Sequence, residues 1–158
     1  MQAINAQRKA FLDMLAWSEG TDKPGQPTKN RGYDVIVGGS LFTSYADHPR
    51  KLITLNPRLK STAAGRYQLL SRYWDAYRSQ LGLKDFSPTS QDAVALQQIK
   101  ERRALELIDN GNIRQAIERC SNIWASLPGA GYGQHEHKIE NLLKKFKEAG
   151  GFVTEPKS

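Results

Sequence analysis

A long gap in helical periodicity constrains this chain more than any other feature. From Asn5 to Ser18 the apolar residues Phe11, Leu12, Leu15 and Ala16 recur at three-to-four spacing, the pattern of a helix burying one face, and Gly20 supplies a stop. Between Thr21 and Thr62 that spacing is absent. Residues 21–31, rich in Gly, Pro and Lys, read as an exposed loop. Residues 33–37 and 40–43 are β-prone runs around Gly38-Gly39, which predicts a hairpin. Residues 46–62 are broken by Asp47-His48-Pro49-Arg50 and Asn56-Pro57, and are expected to form a surface loop with little regular structure.

Helical spacing then returns and stays. Tyr67, Leu70, Tyr73, Trp74 and Tyr77 predict a helix over 64–81 with Gly82 as its stop; Ser87-Pro88 and Ser90 offer caps for a third helix running to Arg102. A short helix over 104–109 follows. Asn112 with Gln115 three residues later resembles a capping box, opening a segment that reaches Trp124. Residues 128–134 (Pro-Gly-Ala-Gly-Tyr-Gly-Gln) can only be a loop, and a last helix is expected over 136–149. One helix, a hairpin, then many helices predict an α+β fold, mostly helical, with a small antiparallel sheet beside a substrate cleft. Trp74 and Trp124 lie within apolar helical patterns and are assigned to the core.

With 158 residues and 39% hydrophobic content, one compact domain over 1–158 is expected, with residues 152–158 as a poorly ordered tail. The net charge of +7 favours an anionic polymer, which could be nucleic acid, lipid or peptidoglycan. The basic residues are scattered among 16 acidic ones, and the densest cluster, Lys144-Lys145-Phe146-Lys147, has the layout of a solvated helix face. Nucleic acid is therefore not an expected partner, and neither is a membrane, since no apolar run is long enough to cross one. The charges at Arg8, Lys9, Asp13 and Glu19 do not fit a signal peptide, and Cys120, the only cysteine, permits no internal disulfide and fits a reducing compartment. His48, His135 and His137 lack metal-ligand spacing, so neither metal nor organic cofactor is expected.

Glu19 stands where the first helix ends. The partial negative charge of a helix carboxyl end disfavours a carboxylate there and favours the protonated acid, and Trp17 could add apolar cover. Taken alone, Glu19 reads as a surface glutamate. Its surroundings change that reading. Trp17-Ser18-Glu19-Gly20-Thr21, followed by residues 32–39 (Gly-Tyr-Asp-Val-Ile-Val-Gly-Gly), resembles the catalytic glutamate and adjoining hairpin of lambda-type endolysins. Further matches are Asn56-Pro57, residues 65–70, residues 90–97 and residues 126–134, in that order along nearly the whole chain. Departures are confined to residues 22–31 and 154–158.

The resemblance implies a lysozyme-like fold and a lytic transglycosylase. Such an enzyme cleaves the β-1,4 bond between N-acetylmuramic acid and N-acetylglucosamine with formation of a 1,6-anhydromuramyl end, and Glu19 is its single catalytic residue. Tyr33, Gln68 and Tyr132 are candidates for contacting sugar rings and N-acetyl groups. Asp34 is a candidate for a sugar contact or a second carboxylate, with Asp22 behind it, and His137 for the rim of the site or a helix start. Hydrolytic phage lysozymes carry an Asp nine residues after their glutamate, where this chain has Thr28. The resemblance further implies a monomer that waits in the host cytoplasm until a separate holin opens the inner membrane to the periplasmic wall. A hydrolytic muramidase on the same fold, and a non-catalytic protein that binds an anionic polymer, are the alternatives.

Overall fold

The computed structural model describes residues 3–129 and 136–154, and within them the chain resolves into two compact units. Glu19–Val94 forms one; described residues of Gln2–Ser18 and Ala95–Ser158 form the other.

The second unit is helical. Its centre is α1 (Ala6–Ser18), which packs against α4 (Leu105–Asp109) and α6 (Ile139–Glu148), while α5 (Ile113–Cys120) packs on both of those. One buried face was expected of α1; instead Ala10, Phe11, Leu12, Met14, Leu15 and Ala16 are all buried, the signature of a helix enclosed on most sides. Ile99, Ile108, Ile117, Leu127 and Phe146 complete that core, and Trp124 belongs to it at 3% exposure. In α6 the predicted division holds: Leu142, Leu143 and Phe146 are buried, while Lys144 and Lys147 are exposed. The helix starts three residues later than expected, and Asn112 forms no side-chain cap on α5, so the predicted capping box is not made.

The tail expected from Phe152 onwards does not begin there. Buried Gln7 donates to the carbonyls of Ile108 (2.9 Å) and Phe152 (3.0 Å) and accepts the Phe152 amide (2.7 Å), and the Thr154 amide donates to the Gly111 carbonyl (2.8 Å). Three bonded backbone groups, the Phe152 carbonyl and amide and the Thr154 amide, tie residues 152–154 down; residues 155–158 lie outside the described part.

In the first unit the small antiparallel sheet exists, at another place than predicted. It is β1 (Ile53–Asn56) with β2 (Leu59–Ser61), pairing Ile53 with Ser61 and Thr54 with Lys60. Asn56-Pro57, read as a breaker, is its turn: the Asn56 side chain accepts the Arg58 amide at 2.9 Å. Around Gly38-Gly39 the chain does reverse, but only an isolated bridge, Val35 to Leu41, forms there. The helix predicted over 64–81 is shorter too, and α2 spans Ser71–Leu81. Ala64 and Leu69 exchange both backbone hydrogen bonds, closing a tight turn in which Gln68 takes a left-handed backbone (φ 55°). Helix α3 (Pro88–Glu101) starts at its proline as expected. Ile36, Phe42, Trp74 and Phe86 form this unit's core, with the indole N–H of Trp74 donating to Asp47 at 3.0 Å.

Candidate active site

Glu19 is the first residue beyond α1 and is half-buried. Gly20 after it has φ 81°, so the chain leaves the helix through a left-handed residue. Thr21 is 1% exposed and its hydroxyl donates to the Arg66 carbonyl at 2.6 Å. Opposite it lies Gly32, where a Cβ would stand 2.8 Å from the Thr21 backbone and hydroxyl; only glycine allows the two segments to approach this closely. The exit from α1 is thus packed by backbone on one side and hydrogen-bonded on the other.

Arg66 organises the region. Its side chain is 4% exposed, and its guanidinium donates to Asp22 (3.1 Å), the Arg31 carbonyl (2.9 Å) and the Tyr67 hydroxyl (3.0 Å). The same cation lies 5.2 Å from the Tyr33 ring centre and 5.6 Å from that of Tyr67. Both phenols then donate to the Asp92 carboxylate, Tyr67 at 2.6 Å and Tyr33 at 2.9 Å. Burial holds both hydroxyls above their ordinary pKa, and the charge of Asp92 adds to the effect, so both remain donors at neutral pH. Gln91 closes the network by accepting the Arg66 amide (2.8 Å) and donating to the Tyr33 carbonyl (3.1 Å). A buried cation is tolerable only when paired and hydrogen-bonded in this way.

Of the residues singled out from the sequence, Glu19, Tyr33, Asp34 and Gln68 belong to this unit. Tyr33 has its hydroxyl engaged by Asp92. Asp34 is 5% exposed; its carboxylate accepts the Thr28 hydroxyl and the Lys29 amide, the latter at 3.0 Å. Thr28 in turn accepts the amides of Gly32 (2.8 Å) and Asn30 (3.2 Å). Thr28 and Asp34 therefore shape the loop that leads to Gly32. Gln68 lies on a turn before α2, not on a helix, and its amide donates to the Gly65 carbonyl at 2.9 Å and the Val35 carbonyl at 3.3 Å. Asp22, besides Arg66, pairs with Arg31 at 3.4 Å.

His137 belongs to the helical unit and precedes α6. Its Nε2 lies 3.1 Å from the Ser18 carbonyl, which can only accept, so that nitrogen carries the proton. Its ring packs on Trp17 with centres 4.5 Å apart, and Lys145 lies 5.3 Å from the same indole. Trp17 is thus engaged by a histidine and a cation. Tyr132 lies outside the described residues. No group of three or more His, Cys, Asp or Glu side chains among the described residues is placed to hold a metal, and no helix among them is long and apolar enough to cross a membrane.

Arg66, Tyr67 and Asp92 carry the polar network that reaches Thr21 and Asp22, and were not recognised from the sequence. Within residues 65–70 and 90–97 only Gln68 was assigned a site role from the sequence. The available signal was a cation flanked by tyrosine in one stretch and a carboxylate in another, a pairing that only tertiary proximity gives meaning.

The sequence profile of the endolysin family matches residues 9–153. The chain belongs to the endolysin family. It is 79% identical to the endolysin of Escherichia phage lambda over 155 residues, 98% of each chain. The endolysin of Escherichia phage P2 is 56% identical over 164 residues, covering 96% of this chain and 98% of that one. Among solved structures, a bacteriophage lambda lysozyme complexed with a chitohexasaccharide matches at TM-score 0.97 and 79% identity, over 98% of this chain and 100% of that one. A second structure of the lambda lysozyme matches at 0.93 and 77%, over the same shares. The resemblance carried by the motifs around Glu19 therefore holds, as does the lysozyme-like α+β fold, and this endolysin is an enzyme acting on peptidoglycan.

Proposed function

We propose that this endolysin is a lytic transglycosylase with Glu19 as its single catalytic carboxyl group. The observation that supports this most is the engagement of both aspartates considered for a second carboxylate. Asp34 is buried and accepts from Thr28 and Lys29; Asp22 is paired with Arg66 and Arg31. A hydrolase of the two-carboxylate type needs its second carboxylate to face the sugar or a water, whereas both of these aspartates are engaged by protein groups.

In the proposed reaction the Glu19 carboxyl donates its proton to the glycosidic oxygen, and the C1–O bond breaks with its electron pair on that oxygen. The 2-N-acetyl group stabilises the positive sugar centre. The C6 hydroxyl oxygen of the muramyl unit then bonds to C1, and its proton passes to the Glu19 carboxylate, restoring the acid. The anhydro ring replaces the broken bond, and no water is consumed.

Glycan contacts follow from the chemistry of the remaining residues. Tyr33, with its hydroxyl held by Asp92, offers a ring face; Gln68 offers an amide to an N-acetyl group; Asp34 acts by shaping its loop; Tyr132 and His137 complete the proposed set. The chitohexasaccharide bound by the lambda lysozyme supports a β-1,4-linked N-acetylated glycan as ligand. The protein acts as a monomer without metal or organic cofactor, and reaches the periplasmic wall from the host cytoplasm once a holin has opened the inner membrane.

The deciding experiment is mass spectrometry of muropeptides released from purified peptidoglycan. Anhydromuramyl ends resistant to borohydride are the expected product. Reducing ends would make the enzyme a hydrolase, and no soluble fragments would leave the binding-protein alternative. Glu19→Gln should abolish release while leaving the circular dichroism spectrum unchanged.

A further inference from the structure

Glu19 lies one residue outside α1, and Gly20 after it takes a left-handed backbone (φ 81°), so the course of residues 20–22 bears on how Glu19 is presented. The next two residues are both held by Arg66: Thr21 through the Arg66 carbonyl at 2.6 Å, and Asp22 through the guanidinium at 3.1 Å. The guanidinium is held against following a moving loop, because it also donates to the Arg31 carbonyl and the Tyr67 hydroxyl, and Tyr67 is anchored in turn on Asp92. A buried charged cluster of this kind adds little net stability over well-packed apolar residues. What it adds is geometry. A general acid misplaced by about 1 Å loses on the order of a hundredfold in rate.

We propose that Arg66 is a positioning residue for glycan cleavage, holding Thr21 and Asp22 so that the Glu19 carboxyl keeps one direction at the end of α1. The inference rests on the reading of Glu19 as the catalytic acid. It distinguishes Arg66 from a sugar-binding arginine, since its guanidinium faces protein groups and its side chain is almost fully buried.

The test compares Arg66→Lys, Thr21→Val and Thr21→Ser with the unmodified chain, in muropeptide release from purified peptidoglycan and in chitohexasaccharide binding by calorimetry. Lysine keeps the charge and loses the fork; valine keeps the shape of threonine and loses the hydroxyl; serine restores it. In Arg66→Lys and Thr21→Val, kcat is expected to fall about tenfold, with KM and oligosaccharide affinity within about twofold, and Thr21→Ser is expected to recover most of the loss. If Arg66→Lys does not fold, Asp22→Asn, which removes the charge the guanidinium holds, decides with the same readouts. Full kcat in the variants that fold, or a loss of oligosaccharide affinity in step with kcat, would overturn the positioning role while leaving Glu19 untouched. An unmodified chain that releases no muropeptide would instead overturn the reading on which the proposal rests.

Discussion

The helical unit and the unit that follows Glu19 are held together by different chemistry. In the first, α1 is enclosed by α4 and α6 and the interior is aliphatic and aromatic, with Gln7 as a buried polar bridge. In the second, an aromatic core of Phe42, Trp74 and Phe86 coexists with an arginine, two tyrosines and carboxylates joined by directional bonds. Apolar packing tolerates small displacements and is paid in area. Directional networks tolerate few displacements, and this one holds Thr21 and Asp22, which follow Glu19 closely in the chain. Stability should therefore respond most to changes in the helical unit, and activity to changes in the other.

The largest stability effect should come from Phe146→Ala, which empties a fully buried site on α6 and is expected to cost about 3–5 kcal/mol in urea unfolding. A loss below about 1 kcal/mol would mean the helical core is far more adaptable than its packing suggests. Gly32→Ala is expected to destabilise by on the order of 2 kcal/mol, through a left-handed backbone (φ 90°) and a clash with Thr21, yet to lower muropeptide release out of proportion to the shift in Tm. Equal residual activity in Gly32→Ala and Phe146→Ala variants at matched stability would break the comparison.

A third effect is set by pH. His48 is 3% exposed; its Nε2 bonds the Leu69 carbonyl at 2.8 Å and its Nδ1 accepts the Arg50 amide at 2.9 Å, so the ring is neutral in the fold. Burial holds its pKa below the ordinary 6.5, and the Arg50 charge acts in the same direction. The unfolded chain therefore binds the proton first as pH falls. The stabilisation is present above pH 6.5 and is lost as pH falls through the folded value. Urea midpoints should drop between neutral pH and about pH 5, and His48→Gln should flatten that slope. The smallest effect belongs to Asn112→Ala, expected below about 0.5 kcal/mol because no cap bond is made, where a working cap would cost about 1 kcal/mol.

The same contrast explains what could be read in advance. Helices α1, α3 and α4 and the burial of Trp74 and Trp124 were legible, because a 3.6-residue apolar period reports burial directly. Residues 64–70 were misread as helix because Tyr67 and Leu70 continue the period of α2. There the reciprocal bonds between Ala64 and Leu69 override propensity, and the left-handed Gln68, which costs roughly 1–2 kcal/mol of local strain, is held by its own side chain on Gly65. The β1–β2 hairpin was missed because Asn56-Pro57 is as good a turn as a loop signal. Glu19 was singled out through its motif, whereas the Arg66 network could not be, since contacts among residues 22, 66, 67 and 92 leave no periodic trace.

Cys120 closes α5 with no exposed surface, and burial pushes its thiol up to about 12. The thiolate, the form that reacts with oxidants and alkylating reagents, is thus scarce in the folded chain and shielded as well. Oxidation or crosslinking through this sulfur is therefore expected to be slow while the fold is intact. Its reaction with a thiol reagent then times the opening of the helical core itself.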